Sequence, residues 1–242
     1  MQYGYAEMMA VALAREIKAG DIVFHGLASP LPMTAMKLAK ALGKDYTYVC
    51  LADGVDPDWR SPAQSGSTLS MNQYEGAVAT FGLDEIFDLA CAGRLDSAFL
   101  SAVQMQQDGA INMSHIGGTY DCPKVRLPGG AGSATLVPVT KKLLIWKTKH
   151  DKNTFVEKVD YATAKPGLHQ NFKVVTTLCT LTLVDGLLRL ESIHPYSSLE
   201  EVKANTGWNI DQKEVSITPA PTDEELTALE QVDPQRVRDV EF

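Results

Sequence analysis

Apolar stretches of two periodicities alternate along the first hundred residues, and this alternation limits the possible folds more than any bulk property. Met9, Ala10, Leu13, Ala14 and Ile17 recur at helical spacing and Gly20 follows as a stop signal, so the chain opens with an amphipathic helix. "DIVFHG" reads as a short buried strand. "LASPLPMTAMKLAKALGK" reads as turn and helix, with two prolines ahead of the helical run and Gly43 closing it. "YTYVCLAD" supplies a second strand, "LDEIFDLACAGR" a further helix and "LDSAFLSAVQM" a third strand. This βαβαβ rhythm predicts an α/β fold built on an open, mostly parallel sheet with helices on both faces.

Beyond Gly118 the texture is β-rich. "LLIWKTK" reads as a strand, and "FKVVTTLCTLTLVDGLLRLESIH" as two strands joined by Asp185-Gly186, a dipeptide suited to a type I′ hairpin. An antiparallel hairpin edge is therefore expected on the parallel core. Ser198 to Glu201 and Thr222 to Glu225 both have capping-box spacing, which predicts a helix starting at each and a helical tail. Between strand and helix, "GVDPDWRSPAQSGSTLSMNQ" is far longer than a usual connection and reads as a mobile loop, a functional lid or an ordinary surface excursion. No internal repeat is visible, and the 242 residues are read as one domain, 1–242.

A formal net charge of −8 argues against a nucleic-acid partner, which calls for a basic face. Local groups such as Lys124 and Arg126, or Lys141, Lys142, Lys147 and Lys149, leave an anionic small ligand open, although such charges are commonly a solvated face. Cys50, Cys91, Cys122 and Cys179 are widely spaced and look like reduced core residues. With no basic-then-apolar leader and no long uncharged run, no membrane partner is expected and the protein is placed in the cytoplasm.

Chemistry is expected at the carboxyl ends of the strands, where open α/β sheets bind ligands. The second strand stops there at the acidic turn Ala52-Asp53-Gly54. In "LPGGAGSATLV", Gly129, Gly130, Ala131 and Gly132 let backbone amides approach an oxyanion or phosphate, with a helix to follow. Neither a P-loop nor a G-x-G-x-x-G register is present, and a plain glycine turn is the ordinary reading of such a stretch. Gln104, in an apolar strand, either satisfies neighbouring backbone or donates to a substrate carbonyl. The five histidines lack metal-ligand spacing and no serine sits in a nucleophile elbow, so no metal site and no serine hydrolase is expected.

In order, "EMMAVALAREIKAGDIVFHG", "VCLADG", "FLSAVQMQQDGAIN", "LPGGAGSA", "FVEKVDYAT", "HPYSSLEEVKANTGW" and "PTDEELTALEQVDP" resemble the β subunit of family I CoA-transferases of the glutaconate CoA-transferase type, nearly end to end. The resemblance implies a CoA-transferase (NagB/RpiA-like) fold, a coenzyme A thioester as substrate with no permanently bound cofactor, and an α subunit as partner. In transferases of this type a glutamate ending the second strand, within Glu-Ser-Gly or Glu-Asn-Gly, carries CoA as a covalent thioester. Here Gly54 matches the glycine, Asp53 the middle position and Ala52 the nucleophile, so the nucleophile is missing.

On an extended strand Asp53 faces away from the position of Ala52 and serves only if the turn redirects it. Gln106 and Ala110 depart from the family pattern as well, standing where Asp and Asn are usual. The turn and the "PTDEEL" tail resemble the branch that hydrolytically opens a carbon ring in a steroid CoA thioester, with the catalytic glutamate in the α subunit. The resemblance thus implies an acyl-CoA hydrolase of catabolism. In it Ala52, Gly54, Gln104, Gly129, Ala131 and Gly132 would line the substrate, and Gly130 would donate to an oxyanion. A genuine CoA-transferase using Asp53 or a partner carboxylate, and a non-catalytic scaffold subunit, are the alternatives.

Overall fold

The computed structural model describes residues 2–51, 53–61 and 67–242. In chain order the first elements are α1 (Tyr5–Glu16), β1 (Ile22–His25), α2 (Pro30–Ala41), β2 (Thr47–Cys50), β3 (Gly54–Val55), β4 (Ala79–Thr80), α3 (Leu83–Cys91) and β5 (Ser97–Leu100). Then come β6 (Gln104–Met105), β7 (Ile111–Asn112), β8 (His115–Gly118), β9 (Pro123–Arg126), α4 (Ser133–Val139) and β10 (Lys142–Lys147). The last are β11 (Asn171–Thr176), β12 (Cys179–Val184), β13 (Leu187–Ile193), α5 (Leu199–Asn205), β14 (Ser216–Ile217) and α6 (Asp223–Val232). They fall into two compact units, one of residues 1–100 with 220–242, the other of 101–219.

In the first unit β1 is flanked by β2 and β5, both parallel to it, and β3 and β4 extend the β2 side antiparallel. α2 starts with Pro30 at its first position and stops at Gly43, whose φ of +79° lets Lys44 N–H reach the Ala39 carbonyl at 3.0 Å. α1 departs from the amphipathic expectation: residues 6 to 14 are buried without a break, so the helix is covered on every side. The tail is fastened to it by charge. Fully buried Arg238 pairs with Glu7 of α1 at 3.2 Å and with Asp233 at 3.1 Å, and also with Glu230.

In the second unit β10 and β11 are parallel, whereas β11, β12 and β13 form an antiparallel meander. The hairpin turn is as expected: Asp185 (φ +50°) and Gly186 (φ +76°) both take the left-handed backbone of a type I′ turn. Two short ribbons, β6–β7 and β8–β9, stand apart from these strands.

The α/β class and the antiparallel edge therefore match the sequence reading, and the differences are local. "LDSAFLSAVQM" is not one strand: β5 ends at Leu100, and β6 pairs with β7 instead. The long connection after Gly54 is partly structured, because β3 pairs with β4 and Asp58 N–H bonds the Glu75 carbonyl at 2.9 Å. Its central part, 62–66, lies outside the described residues. Cys50 and Cys179 are buried as expected, whereas Cys91 and Cys122 are exposed. No helix among the described residues is long and apolar enough to cross a membrane.

Candidate functional site

In the first unit the acidic turn is the reversal between β2 and β3, where Cys50 pairs with Gly54 and Val49 with Val55. The strand has ended before the turn. Asp53 is exposed, with a left-handed backbone (φ +64°), and its carbonyl accepts from Phe81 N–H at 3.1 Å. The alternation that would turn Asp53 away from its neighbour holds only on extended backbone and does not apply here. Ala52 lies outside the described residues.

Gly54 is sterically required, since a Cβ there would sit 2.6 Å from the Tyr74 Cβ and 3.2 Å from the Cys50 Sγ. The segment after the turn is held by α2. Lys40 pairs with Asp56 at 2.8 Å, and Lys37 donates to the Ser61 carbonyl at 2.6 Å. Asp56 also accepts from Tyr48 N–H at 2.9 Å. At the end of β1, His25 bonds Ser29 Oγ at 3.0 Å and lies 3.3 Å from the Tyr48 hydroxyl. Burial pushes His25 down to about 4.

In the second unit Gln104 is buried and both ends of its amide are engaged. Its Nε2 donates to Asp160 at 2.8 Å, and its Oε1 accepts from Asn112 Nδ2 at 2.7 Å and from Asp160 N–H at 3.2 Å. Gln104 thus orders its own surroundings in this structure. The other Asp160 oxygen accepts from Gly117 N–H at 3.2 Å. Gln106 likewise turns inward, accepting from Val159 N–H at 3.0 Å.

The glycine loop is pinned beside this network. Leu127 N–H bonds the Ser114 carbonyl at 3.0 Å and Gly129 N–H the Met113 carbonyl at 2.8 Å. Thr163 Oγ1 accepts from Met113 N–H at 2.9 Å and is hydrogen-bonded to Ser114 Oγ at 2.7 Å. The Thr163 methyl abuts Gly130, where a Cβ would meet it at 2.6 Å. Gly129 (φ +94°) and Ala131 (φ +44°) are both left-handed, the second of these strained for a residue with a side chain. Among the described residues the amides of Gly130, Ala131 and Gly132 form no hydrogen bond, and α4 begins directly after them. Three N–H groups are therefore available to an oxyanion.

The predicted residues separate by unit: Asp53 and Gly54 in the first, Gln104 and Gly129 to Gly132 in the second. Sequence reasoning missed Asn112, Ser114, Asp160 and Thr163, which fix the loop and Gln104. "FVEKVDYAT" was legible as a segment, but nothing in it signals that Asp160 and Thr163 bond residues about fifty positions earlier. No group of three His, Cys, Asp or Glu among the described residues is placed to hold a metal ion.

Residues 6–205 match the family model for coenzyme A transferase. The β subunit of 3-oxoadipate CoA-transferase from Pseudomonas knackmussii is 33% identical over 245 residues, covering 94% of this chain and 92% of that one. The β subunit of glutaconate CoA-transferase from Acidaminococcus fermentans is 27% identical over 96% of this chain and 93% of that one. Among solved structures, the decarboxylase AibA/AibB superposes with a TM-score of 0.92 at 28% identity, over 99% of both chains. With a glycine loop of free amides and an acidic strand-end turn in place, and similarity running nearly from end to end, the chain belongs to the coenzyme A transferase family.

Proposed function

We propose that this chain is the β-type subunit of a heteromeric enzyme acting on an acyl-CoA thioester, and that the reaction is hydrolytic, of the ring-opening type, with the catalytic glutamate supplied by an α subunit. The observation that carries the reading is Ala52, an apolar residue at the position matching the family's covalent glutamate. A methyl group cannot attack a thioester. The names of the relatives, each one of the two subunit types of a CoA-transferase, support a two-subunit enzyme. The whole chain, 1–242, is read as one CoA-transferase-like domain, since the family match runs through both units. A cytoplasmic location fits a thioester substrate and buried cysteines, Cys50 and Cys179, that are not in disulfides.

In this reading the Gly130, Ala131 and Gly132 amides receive the charge that develops on the thioester carbonyl oxygen, a role that fixed backbone donors fill without reorganisation. Gln104 and Asp160 keep that wall rigid. The left-handed turn at Asp53 favours a second reading, a genuine transferase in which Asp53 is the nucleophile, because the turn frees its side chain from strand alternation. The Asp53→Asn variant, assayed as the intact heteromer, separates the two. The hydrolase retains activity within about tenfold, whereas a transferase losing its covalent carboxylate falls by several orders of magnitude.

A further inference from the structure

We infer that Leu27 and Leu69 form an apolar shelf beside the acidic turn and receive the acyl group of the thioester there, so that the enzyme selects an uncharged, apolar acyl group over one that ends in a carboxylate; this rests on the acyl-CoA reading above. Both leucines belong to the first unit, and both stand out from it, at 58% and 57% exposure. Single exposed leucines are common on a protein surface, whereas two that the backbone brings together at a strand end make a patch.

Strand register places Leu27. β1 runs parallel to β2 with Phe24 opposite Val49, and Gly26 N–H still bonds the Phe99 carbonyl of β5 at 3.1 Å. Leu27 therefore comes level with the beginning of the acidic turn, one strand spacing of about 4.8 Å to the side. Ala28 then takes a left-handed backbone (φ +49°), and its N–H donates to Thr68 Oγ1 at 3.1 Å. That bond joins the neighbours of the two leucines, since Leu27 precedes Ala28 and Leu69 follows the buried Thr68.

The stretch that carries Leu69 is anchored to the turn at its other end. Cys50 Sγ donates to the Gln73 carbonyl at 3.6 Å, and Tyr74 packs on Gly54, where a Cβ would meet the Tyr74 Cβ at 2.6 Å. Between these anchors Ser70 N–H bonds the Ser67 carbonyl at 3.3 Å and Gln73 N–H the Ser70 carbonyl at 2.9 Å, so the stretch is folded on itself. Leu69 thus lies on a bridge from the end of β1 to the turn after β2, at the carboxyl ends of the strands, where open α/β sheets take ligands.

The charges beside the shelf decide what kind of acyl group suits it. Asp53 is exposed and forms no ion pair among the described residues. The cations held against the segment after the turn are all engaged. Lys40 pairs with Asp56 at 2.8 Å, Lys37 donates to the Ser61 carbonyl at 2.6 Å, and Arg60 pairs with Asp58 at 3.5 Å and lies 4.6 Å over the Trp59 ring. A carboxylate brought to the shelf would lose water against leucine side chains and face the Asp53 carboxylate without a free cation from this segment. Hydrocarbon surface pays neither penalty and gains by burial.

The test is binding to the heteromer, which needs no turnover. Calorimetry compares CoA, S-hexyl-CoA and S-(5-carboxypentyl)-CoA, the two thioethers having equal carbon counts and differing in the terminal carboxylate. S-hexyl-CoA is expected to bind about tenfold more tightly than either of the others. Leu27→Ala and Leu69→Ala are each expected to cut that advantage about fivefold with CoA binding unchanged, and Leu69→Lys to reverse the order of the two thioethers. Equal or tighter binding of the carboxylate thioether by wild type, or a hexyl advantage that all three variants leave intact, would overturn the inference. Variants that dissociate the subunits would assign the leucines to a subunit contact and overturn it as well. CoA binding with no hexyl preference overturns the apolar selection alone, whereas a wild-type heteromer that binds none of the three compounds defeats the acyl-CoA reading and the selection with it.

Discussion

Gly130 shows how packing and chemistry can be separated at a single residue. Its φ is not in the left-handed region, so alanine is conformationally acceptable, but the new Cβ would meet the Thr163 methyl at 2.6 Å. Gly130→Ala alone is therefore expected to lose both stability and activity. Pairing it with Thr163→Ser removes that methyl and keeps the hydroxyl that receives Met113 N–H. The double variant is expected to melt within about 3 °C of wild type, because the clash is gone. Its kcat is expected to stay low, because the alanine methyl crowds the approach of the thioester oxygen to amides that are themselves kept; an oxyanion contact blocked in this way costs up to about 2.7 to 4 kcal/mol in barrier. Full recovery of rate with stability would reduce the loop to a plain glycine turn. The glycines themselves were legible from sequence; Thr163 was not, because its contact with them depends on a chain reversal that no local pattern encodes.

Helix and hairpin ends were the most legible elements, since their signals are local. Asp185-Gly186 and both cap motifs lie where their backbone geometry requires them. The two caps differ in strength. Ser198 accepts from Glu201 N–H at 3.1 Å, whereas Thr222 and Glu225 satisfy each other's amides reciprocally, at 3.2 and 2.8 Å. Glu225 also receives Arg15 of α1 at 2.7 and 2.8 Å, which together with the cap holds its carboxyl below the usual range despite partial burial. Thr222→Ala is expected to cost about 1 kcal/mol. Glu225→Ala should cost more, about 2 kcal/mol, because it breaks the cap and removes the carboxylate that pairs with the half-buried Arg15 guanidinium, which keeps its bond to the Ala220 carbonyl. Urea midpoints for the two variants give the order, and an equal loss would show that the Arg15 pair contributes nothing. The break between β5 and β6 was not legible, because Ser101-Ala102-Val103 is as strand-like as its neighbours and only the pairing partners end the strand there.

Over the whole molecule, three histidines are enclosed as neutral groups. His150 sits between Thr176 and Thr206 at 2.9 and 3.0 Å, and His194 between Thr218 and the Thr176 carbonyl at 3.1 and 2.9 Å. Burial pushes both, like His25, from 6.5 to about 4. The unfolded chain therefore binds more protons between pH 6.5 and 4, and stability falls as pH drops through that window. Each histidine is expected to withdraw about 2 kcal/mol by pH 5, before the carboxylates begin to titrate. A urea midpoint that stays flat between pH 7 and 5 would contradict this. None of these environments was visible in the sequence, and neither was the buried Arg238 that joins the tail to Glu7, 231 positions away. Composition and rhythm reveal which residues are apolar, but long-range polar partners emerge only when the chain closes on itself.

The central claim is that no residue of this chain becomes covalently attached to CoA. The most direct measurement is the mass of this chain after the heteromer is incubated with its acyl-CoA and quenched, with and without borohydride. The account predicts an unmodified mass in both arms while product accumulates. A CoA adduct on this chain, or a borohydride-reduced Asp53, would contradict it and establish the transferase mechanism instead.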